Sequence, residues 1–220
     1  MAYALAPHVS YGNVDGLAVM LDLNADRYFL LDKVTTSLLE TNCEHGTDDA
    51  QQSILRRLAS RGWLVHAAAP SLGPVLAQLP AASALETSSE SSIIGLTELM
   101  KYRIGAAASL RWHGLAATIA MWRRLRTDFH LEPRCSAKAD AAAAVGCGYN
   151  ARLVRLPLRR RCVPDSLALL RSLWGRRLDA DLYFGVRREP FAAHCWLQFE
   201  HNLLIDPLDK VAEFTAVFKL

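Results

Sequence analysis

The stretch that decides the fold is "CVPDSLALLRSLWGRRLDADLYFGVRREPFAAHCWLQFEHNLLID", residues 162–206. Its first part carries Leu167, Leu170, Leu173 and Trp174 at helical spacing, which predicts a helix that begins near Cys162. The runs "ADLYFGVRR" and "HCWLQFE" then alternate apolar and polar side chains, which is typical of strands. A helix followed by such strands predicts an α+β fold for this part of the chain.

Cys162 lies at the expected start of that helix, directly after Arg159–Arg161. A helix N-terminus and neighbouring positive charge both lower the pKa of a thiol, so this placement favours a nucleophile. A cysteine nucleophile needs an imidazole to share its proton and a third polar group to orient that imidazole. His194, at the beginning of a predicted strand, and Asp206, at the end of the next one, are the candidates for these roles. Each residue also has an ordinary explanation, because single cysteines are often simply buried and single histidines and aspartates are often structural.

Strand alternation decides which aspartate can reach His194. A two-residue turn at His201–Asn202 would place His194 opposite Asp209, whereas Asp206 would point to the other face. A change of parity, through an odd-length loop or a β-bulge, would let Asp206 reach His194, so strand alternation by itself leaves both Asp206 and Asp209 open. The same alternation directs Cys195 to the face opposite His194.

Residues 1–66 form a separate block in which strands precede helices. The runs "GLAVMLDL" and "RYFLLD", separated by "NADR", predict a hairpin, and a third strand is expected near His8–Tyr11. A short helix is indicated around Leu38, and a second helix with Thr47 as its N-cap should end near Gly62. This order predicts a small winged-helix-like module.

The rest of the chain divides into a linker and a second domain. Residues 67–92 are rich in Ala, Pro and Ser and predict a linker. From residue 93 onward apolar helices come first, in "LTELMKYRIGAAASLRWHGLAATIAMWRRLR" and "SAKADAAAAVGC", and the decisive stretch follows. A cysteine on a helix that packs against an antiparallel sheet bearing His and Asp, in that chain order, is the arrangement of papain and transglutaminase folds. We therefore expect residues 93–220 to form a papain- or transglutaminase-like cysteine protease domain.

Composition excludes several classes of function. The net charge of +3 on 220 residues, with only short arginine clusters, argues against a nucleic-acid partner. No signal peptide and no apolar run of membrane length are evident, so no membrane association is expected. Five scattered cysteines without CxxC pairs fit reduced thiols in a cytoplasm better than disulfides, and they predict no metal site.

The decisive stretch closely resembles the core of the lasso-peptide leader peptidases, the transglutaminase-like "B" proteins of lasso-peptide maturation. Three features carry the resemblance: a Cys-x-Pro-x-Ser-Leu-Ala-Leu helix, a "GVRR-x-PF-x-AH-x-W" strand and a downstream aspartate. The matching positions are Cys162, Pro164, Ser166–Leu169, Gly185–Arg188, Pro190–Phe191, Ala193–His194, Trp196 and Asp206. The resemblance implies that Cys162, His194 and Asp206 are catalytic. For that reason we predict the change of parity that lets Asp206 reach His194, with Asp209 as the alternative.

Residues 1–66 resemble the pyrroloquinoline-quinone D-type element that binds leader peptides in this family. They depart from its usual three helices, since "ETNCEHGTDD" leaves little room for the middle one. The resemblance implies that an extended leader segment pairs with a strand edge, with pockets between that strand and the last helix. Tyr28, Leu30, Ile54 and Leu58 are the candidate leader-binding residues.

The resemblance implies a cytoplasmic cysteine peptidase that removes the leader of a lasso-peptide precursor. An asparagine-synthetase-like partner cyclase would then close the macrolactam. The chain has no GxxxxGK[ST] loop, so we assign ATP use to the cyclase and expect no cofactor in this chain. Two alternatives remain: a Cys-His-Asp acyltransferase or transglutaminase, which shares the acyl-enzyme, and a non-catalytic leader-binding chaperone.

Overall fold

The computed structural model describes residues 2–41, 48–87 and 91–220. The chain divides into two compact units, one comprising Met1–Leu76 with Thr215–Phe218 and the other comprising Ala77–Phe214 with Lys219–Leu220. The division between Leu76 and Ala77 falls inside the segment 67–92 that we predicted to be a linker.

The described residues of the first unit form a three-stranded antiparallel sheet, a two-stranded sheet and two helices. Its elements are β1 (Ala2–Leu5), β2 (Val9–Val14), β3 (Leu17–Asp22), β4 (Arg27–Leu30), α1 (Lys33–Glu40), α2 (Asp49–Ser60) and β5 (Leu64–Ala67). Strands β2, β3 and β4 pair in that order, so β4 forms an edge, and β1 pairs with β5. The strands and helices expected from the sequence are present, together with β1, whose four residues carry too short a pattern to recognise.

Helix α2 begins one residue after its cap, Asp48, whose side chain accepts a hydrogen bond from the Ala50 N–H. Thr47, the cap that we predicted, lies outside the described residues. The core below the sheet contains Trp63, whose indole N–H donates to Asp22 at 3.0 Å, and Leu58, which is 2% exposed. Leu58 is therefore a core residue and does not line an open pocket.

The second unit places helices against a sheet. Its helices are α3 (Ala84–Thr87), α4 (Leu96–Asp128), α5 (Ser136–Val154), α6 (Cys162–Trp174) and α7 (Leu208–Ala212). Its strands are β6 (Ala82–Ser83), β7 (Asp181–Arg187), β8 (Ala192–Phe199) and β9 (Asn202–Leu203). The last strand, β10 (Thr215–Lys219), belongs to the first unit except for Lys219. Strands β7, β8, β9 and β6 are neighbours in that order, with β6 and β9 parallel. Leu220 exchanges backbone hydrogen bonds with Leu182 at the edge of this sheet.

Helix α6 is the centre of this unit. Its apolar side chains from Leu167 to Leu170 are fully buried, as are Leu173 and Trp174, and the helix packs against both α4 and β8. Helix α4 is interrupted at Gly114, where φ is 76° and ψ is 178°, a backbone conformation that side chains with a Cβ rarely adopt. Burial on all sides fixes α6, and its first residue, Cys162, is thereby held at the edge of the unit's core.

The hairpin of β8 and β9 differs from the one that we predicted. Phe199 pairs with Asn202, so the two-residue turn is Glu200–His201, one position earlier than expected, and Glu200 has a φ of 52°. The hairpin of β8 and β9 contains neither an odd-length loop nor a β-bulge, so the parity of its residue pairs does not change. Instead β9 ends at Leu203, and the chain bends over residues 204–206. Asp206 leaves the ladder at this bend, so strand alternation no longer restricts its direction.

Candidate active site

Cys162 is the first residue of α6, and a buried aspartate organises the turn around it. Asp165 is 2% exposed and accepts hydrogen bonds from the Arg161 N–H at 3.0 Å and from Arg103 Nε at 2.6 Å. Pro164 fits in this first turn because its nitrogen would have no intrahelical acceptor there. The hydrogen bond between Asp165 and the Arg161 N–H and the ion pair between Asp165 and Arg103 together fix the position of the Cys162 thiol.

His194 and Asp206 lie side by side in the second unit. The His194 Nε2 and Asp206 Oδ1 atoms are 2.9 Å apart, and the two residues are 8% and 7% exposed. The His194 ring lies near Trp196, with ring centroids 6.3 Å apart, and near Phe214, at 5.5 Å. Sequence reasoning missed Phe214, because the strand pattern does not indicate that contact.

Lys210 is a further residue that sequence reasoning missed. Its Nζ lies 2.9 Å from Asp206 Oδ1, the same oxygen that faces His194. The signal that could have found it is its spacing, since Lys210 follows Asp206 by four residues and lies within α7. Asp209, the alternative aspartate, is exposed, and its carboxylate accepts a bond from the Lys210 backbone N–H.

The electrostatics favour a charged pair of Cys162 and His194. Burial raises the pKa of the Cys162 thiol, but hydrogen bonds and charge from His194, with backbone N–H groups of Cys195 and Val163, bring it below its usual value. Burial lowers the pKa of His194, but hydrogen bonds with Asp206 and Cys162 raise it above its usual value against the opposing charge of Lys210. Both shifts favour thiolate and imidazolium.

The causes of the lowered Cys162 pKa include the start of α6, through the Val163 N–H, but otherwise differ from those expected from the sequence. His194 and two backbone N–H groups lower the Cys162 pKa, rather than the arginines that precede it. Arg160 Nε lies 3.5 Å from Asp165 Oδ2, so the charge of Arg160 is balanced by a buried carboxylate instead of acting on the thiol alone.

Cys162, His194 and Asp206 line one cavity of about 470 Å³, together with Asn150, Arg160 and Lys210. Cys195 also borders it but is 1% exposed, and burial raises its pKa well above the usual value. A cysteine in that environment is a poor nucleophile. The geometry therefore allows acyl transfer through the Cys162 thiolate, with His194 as acid and base.

The four predicted leader-binding residues do not form one pocket. Phe29 and Ile54 pack against the core of the first unit, and Leu58 lies inside it. Tyr28 and Leu30 alternate with Phe29 along β4 and therefore lie on the other face of the sheet. The structure thus separates Tyr28 and Leu30 from the α2 side of the strand.

In residues 2–41, 48–87 and 91–220, no group of three or more His, Cys, Asp or Glu side chains is placed to hold a metal ion. Within the same ranges, none of the helices has the length and apolar character needed to cross a bilayer.

One of three comparisons with known proteins found a match, and it agrees with this geometry. Searches of curated proteins and of solved structures found no match. A family model described as the transglutaminase-like superfamily matches residues 106–219, which is more than half of the chain and includes Cys162, His194 and Asp206. This superfamily suggests cysteine protease or acyltransferase-type activity. The chain belongs to the transglutaminase-like superfamily.

Proposed function

We propose that this protein is a cytoplasmic cysteine peptidase that binds the leader of a lasso-peptide precursor and cleaves it off. The observation that carries the enzymatic part is the arrangement of Cys162, His194 and Asp206 around one cavity, with His194 Nε2 2.9 Å from Asp206 Oδ1. The lasso-peptide assignment is supported by the motifs that surround these residues in the sequence.

Each residue has a distinct role in this proposal. Asp206 hydrogen-bonds with Nε2 of His194, which leaves Nδ1 as the ring nitrogen that can bond with Cys162. The thiolate attacks the scissile carbonyl, and His194 gives its proton to the departing amine as the C–N bond breaks. His194 then removes a proton from water, which hydrolyses the thioester and releases the leader.

Leader binding belongs to the first unit in this proposal. Strand β4 forms an edge of its sheet and can pair with an extended peptide through main-chain hydrogen bonds. Leu30, which is 59% exposed, would contact the peptide on one face, and Ile54 would contact it on the face of α2. Tyr28 remains a candidate beside Leu30, whereas we leave Leu58 out because it is buried. Binding at one unit raises the local concentration of the scissile bond for the other.

The peptidase would act with a partner. An asparagine-synthetase-like cyclase would use ATP to close the macrolactam on the new N-terminus, and this chain would need neither a cofactor nor a nucleic-acid or membrane partner.

The test is to incubate the precursor with this protein and the cyclase and to weigh the products. Cys162→Ala should abolish leader release and leave precursor binding unchanged. Cys135→Ala is the matched control, because Cys135 is also exposed but lies at the start of α5.

Two results would contradict the proposal. Leader release by Cys162→Ala at the wild-type rate would exclude the thiol mechanism. Products in which the acyl group is joined to an added amine instead of water would indicate the acyltransferase.

A further inference from the structure

Asn150 lies on the wall of the cavity that contains Cys162. It belongs to α5, four residues after Gly146, and residues at this spacing share a helix face. Gly146 approaches the Leu204 backbone so closely that a Cβ atom there would collide with the carbonyl. This contact places the Asn150 face of α5 against the bend that leads to Asp206.

Arg160 determines which way the Asn150 amide points. Arg160 Nη1 donates a hydrogen bond to Asn150 Oδ1 at 2.9 Å. A guanidinium has only donors, so the amide oxygen must be the atom that faces it. Arg160 is itself paired with Asp165, whose side chain is buried. The Nδ2 group is therefore the end of the amide that does not face Arg160, and it can donate to an acceptor in the cavity that Asn150 lines.

We infer that Asn150 Nδ2 is the side-chain donor of an oxyanion hole whose second donor is the backbone N–H of Cys162. The inference rests on the proposed role of Cys162 as nucleophile. When the S–C bond forms, the π electrons of the carbonyl move onto its oxygen, and the two N–H groups bind that charge. When the intermediate collapses, the C=O bond forms again, the C–N bond breaks, and the His194 proton passes to the amine. Arg160 is a positioning residue that holds the amide.

Two small probes separate this role from an effect on the thiol itself. Iodoacetamide alkylates a thiolate by displacing iodide from a saturated carbon, so no oxyanion forms. p-Nitrophenyl acetate acylates the same thiolate through a tetrahedral oxyanion. The Asn150→Ala variant should be alkylated at the wild-type rate but acylated about 100-fold more slowly, which is the usual effect of removing one oxyanion donor.

Matched variants complete the experiment. Asn150→Asp keeps the shape of the side chain, removes both donors and adds a negative charge. Its rate of acylation should therefore fall at least as much as that of Asn150→Ala. Arg160→Ala should lower acylation without changing alkylation, and Arg160→Lys should recover part of it. Asn24→Ala, an exposed asparagine of the first unit, should leave both rates unchanged. Unchanged unfolding midpoints would show that each variant is folded.

Three outcomes would overturn the inference. Acylation of Asn150→Ala at the wild-type rate would exclude the donor role. A parallel loss of alkylation and acylation would show that Asn150 acts on the thiol instead. If mass spectrometry shows that the wild-type protein is not acylated at Cys162, the nucleophile is wrong, and both the inference and the proposed function fail. None of these readouts depends on the precursor, so a failure to release the leader alone would contradict only the proposed substrate.

Discussion

At the scale of single residues, Asp206 Oδ1 is the atom on which the site converges. His194 Nε2 and Lys210 Nζ each lie 2.9 Å from it. Burial raises the pKa of Asp206, but hydrogen bonds and charge from His194 and Lys210 bring it below its usual value. Asp206 is therefore a carboxylate at neutral pH, and it can fix both the orientation and the charge of His194.

The orienting role of Asp206 predicts a loss of turnover on substitution. Asp206→Asn should lower kcat by about 10²- to 10⁴-fold, because an amide no longer holds the imidazole in the required tautomer. Asp209→Asn is the matched control and should be nearly neutral, since Asp209 is exposed and bonds only locally. Steady-state kinetics of leader release measure both, and similar losses in the two variants would contradict the assignment.

Lys210 predicts a change in pH dependence with a definite sign. Its positive charge lowers the pKa of His194, so Lys210→Met should raise that pKa. The alkaline limb of kcat/KM, where the imidazolium loses its proton, should therefore move to higher pH. Lys138→Met, which removes an ion pair with Glu132, should leave the profile unchanged. An alkaline limb that stays in place or moves to lower pH in Lys210→Met would exclude this coupling.

At the scale of elements, close packing of α5 against the bend after β9 sets the site. Gly146 and Gly148 bring α5 against the Leu204 and Ser92 backbones, where a larger side chain would collide. The short strand β9 then releases Asp206 from the sheet, and α7 supplies Lys210. Asp206 is thus positioned by α5 and by two short elements, β9 and α7, that have weak sequence patterns of their own.

This packing predicts opposite effects for two helical glycines. Gly146→Ala should destabilise the protein by about 1–3 kcal/mol, because its Cβ would push against a backbone carbonyl. Gly105→Ala, in α4, should stabilise it by about 1 kcal/mol, because no atom lies within 4 Å of the added Cβ and alanine favours a helix. Denaturant unfolding measures both changes, and equal stability of the two variants would contradict the packing argument.

At the scale of the whole molecule, the two compact units carry different parts of the proposed function. The candidate active site lies in Ala77–Phe214, and the proposed leader-binding strand lies in Met1–Leu76. The first unit also includes Thr215–Phe218, where Val217 accepts a hydrogen bond from Ser10 at 2.6 Å and Ala216 approaches Gly12. A fragment of residues 1–66 would lack the contacts that the first unit makes through Thr215–Phe218.

The division of function predicts a change in KM without a matching change in kcat. Leu30→Glu should raise the KM for precursor by about tenfold or more, which corresponds to about 1.4 kcal/mol of lost binding, and leave kcat nearly unchanged. Leu76→Glu is the control, since Leu76 is 86% exposed in the same unit and lies outside the sheet. A fall in kcat at unchanged KM would contradict leader binding at β4.

Sequence alone determined the features that depend on local pattern. The α+β class and the transglutaminase-like domain are confirmed, because helical spacing and strand alternation are properties of consecutive residues. The start of α6 at Cys162 followed from the apolar spacing after it. The candidate residues Cys162, His194 and Asp206 came from residue chemistry and from the surrounding motifs, and their catalytic roles stay predictions.

Only the tertiary structure decided how those residues meet. Strand alternation with a regular two-residue turn would direct Asp206 away from His194. The sequence does not show that β9 ends after two residues and that the chain then bends. Lys210, Phe214 and Asn150 come from separate segments, and their approach to Cys162 and His194 depends on packing between elements. The same limit explains Leu58, since a pattern marks a residue as apolar but does not say whether it faces the core or a groove. Contacts between distant segments follow from three-dimensional packing, and a single sequence carries no local signal for them.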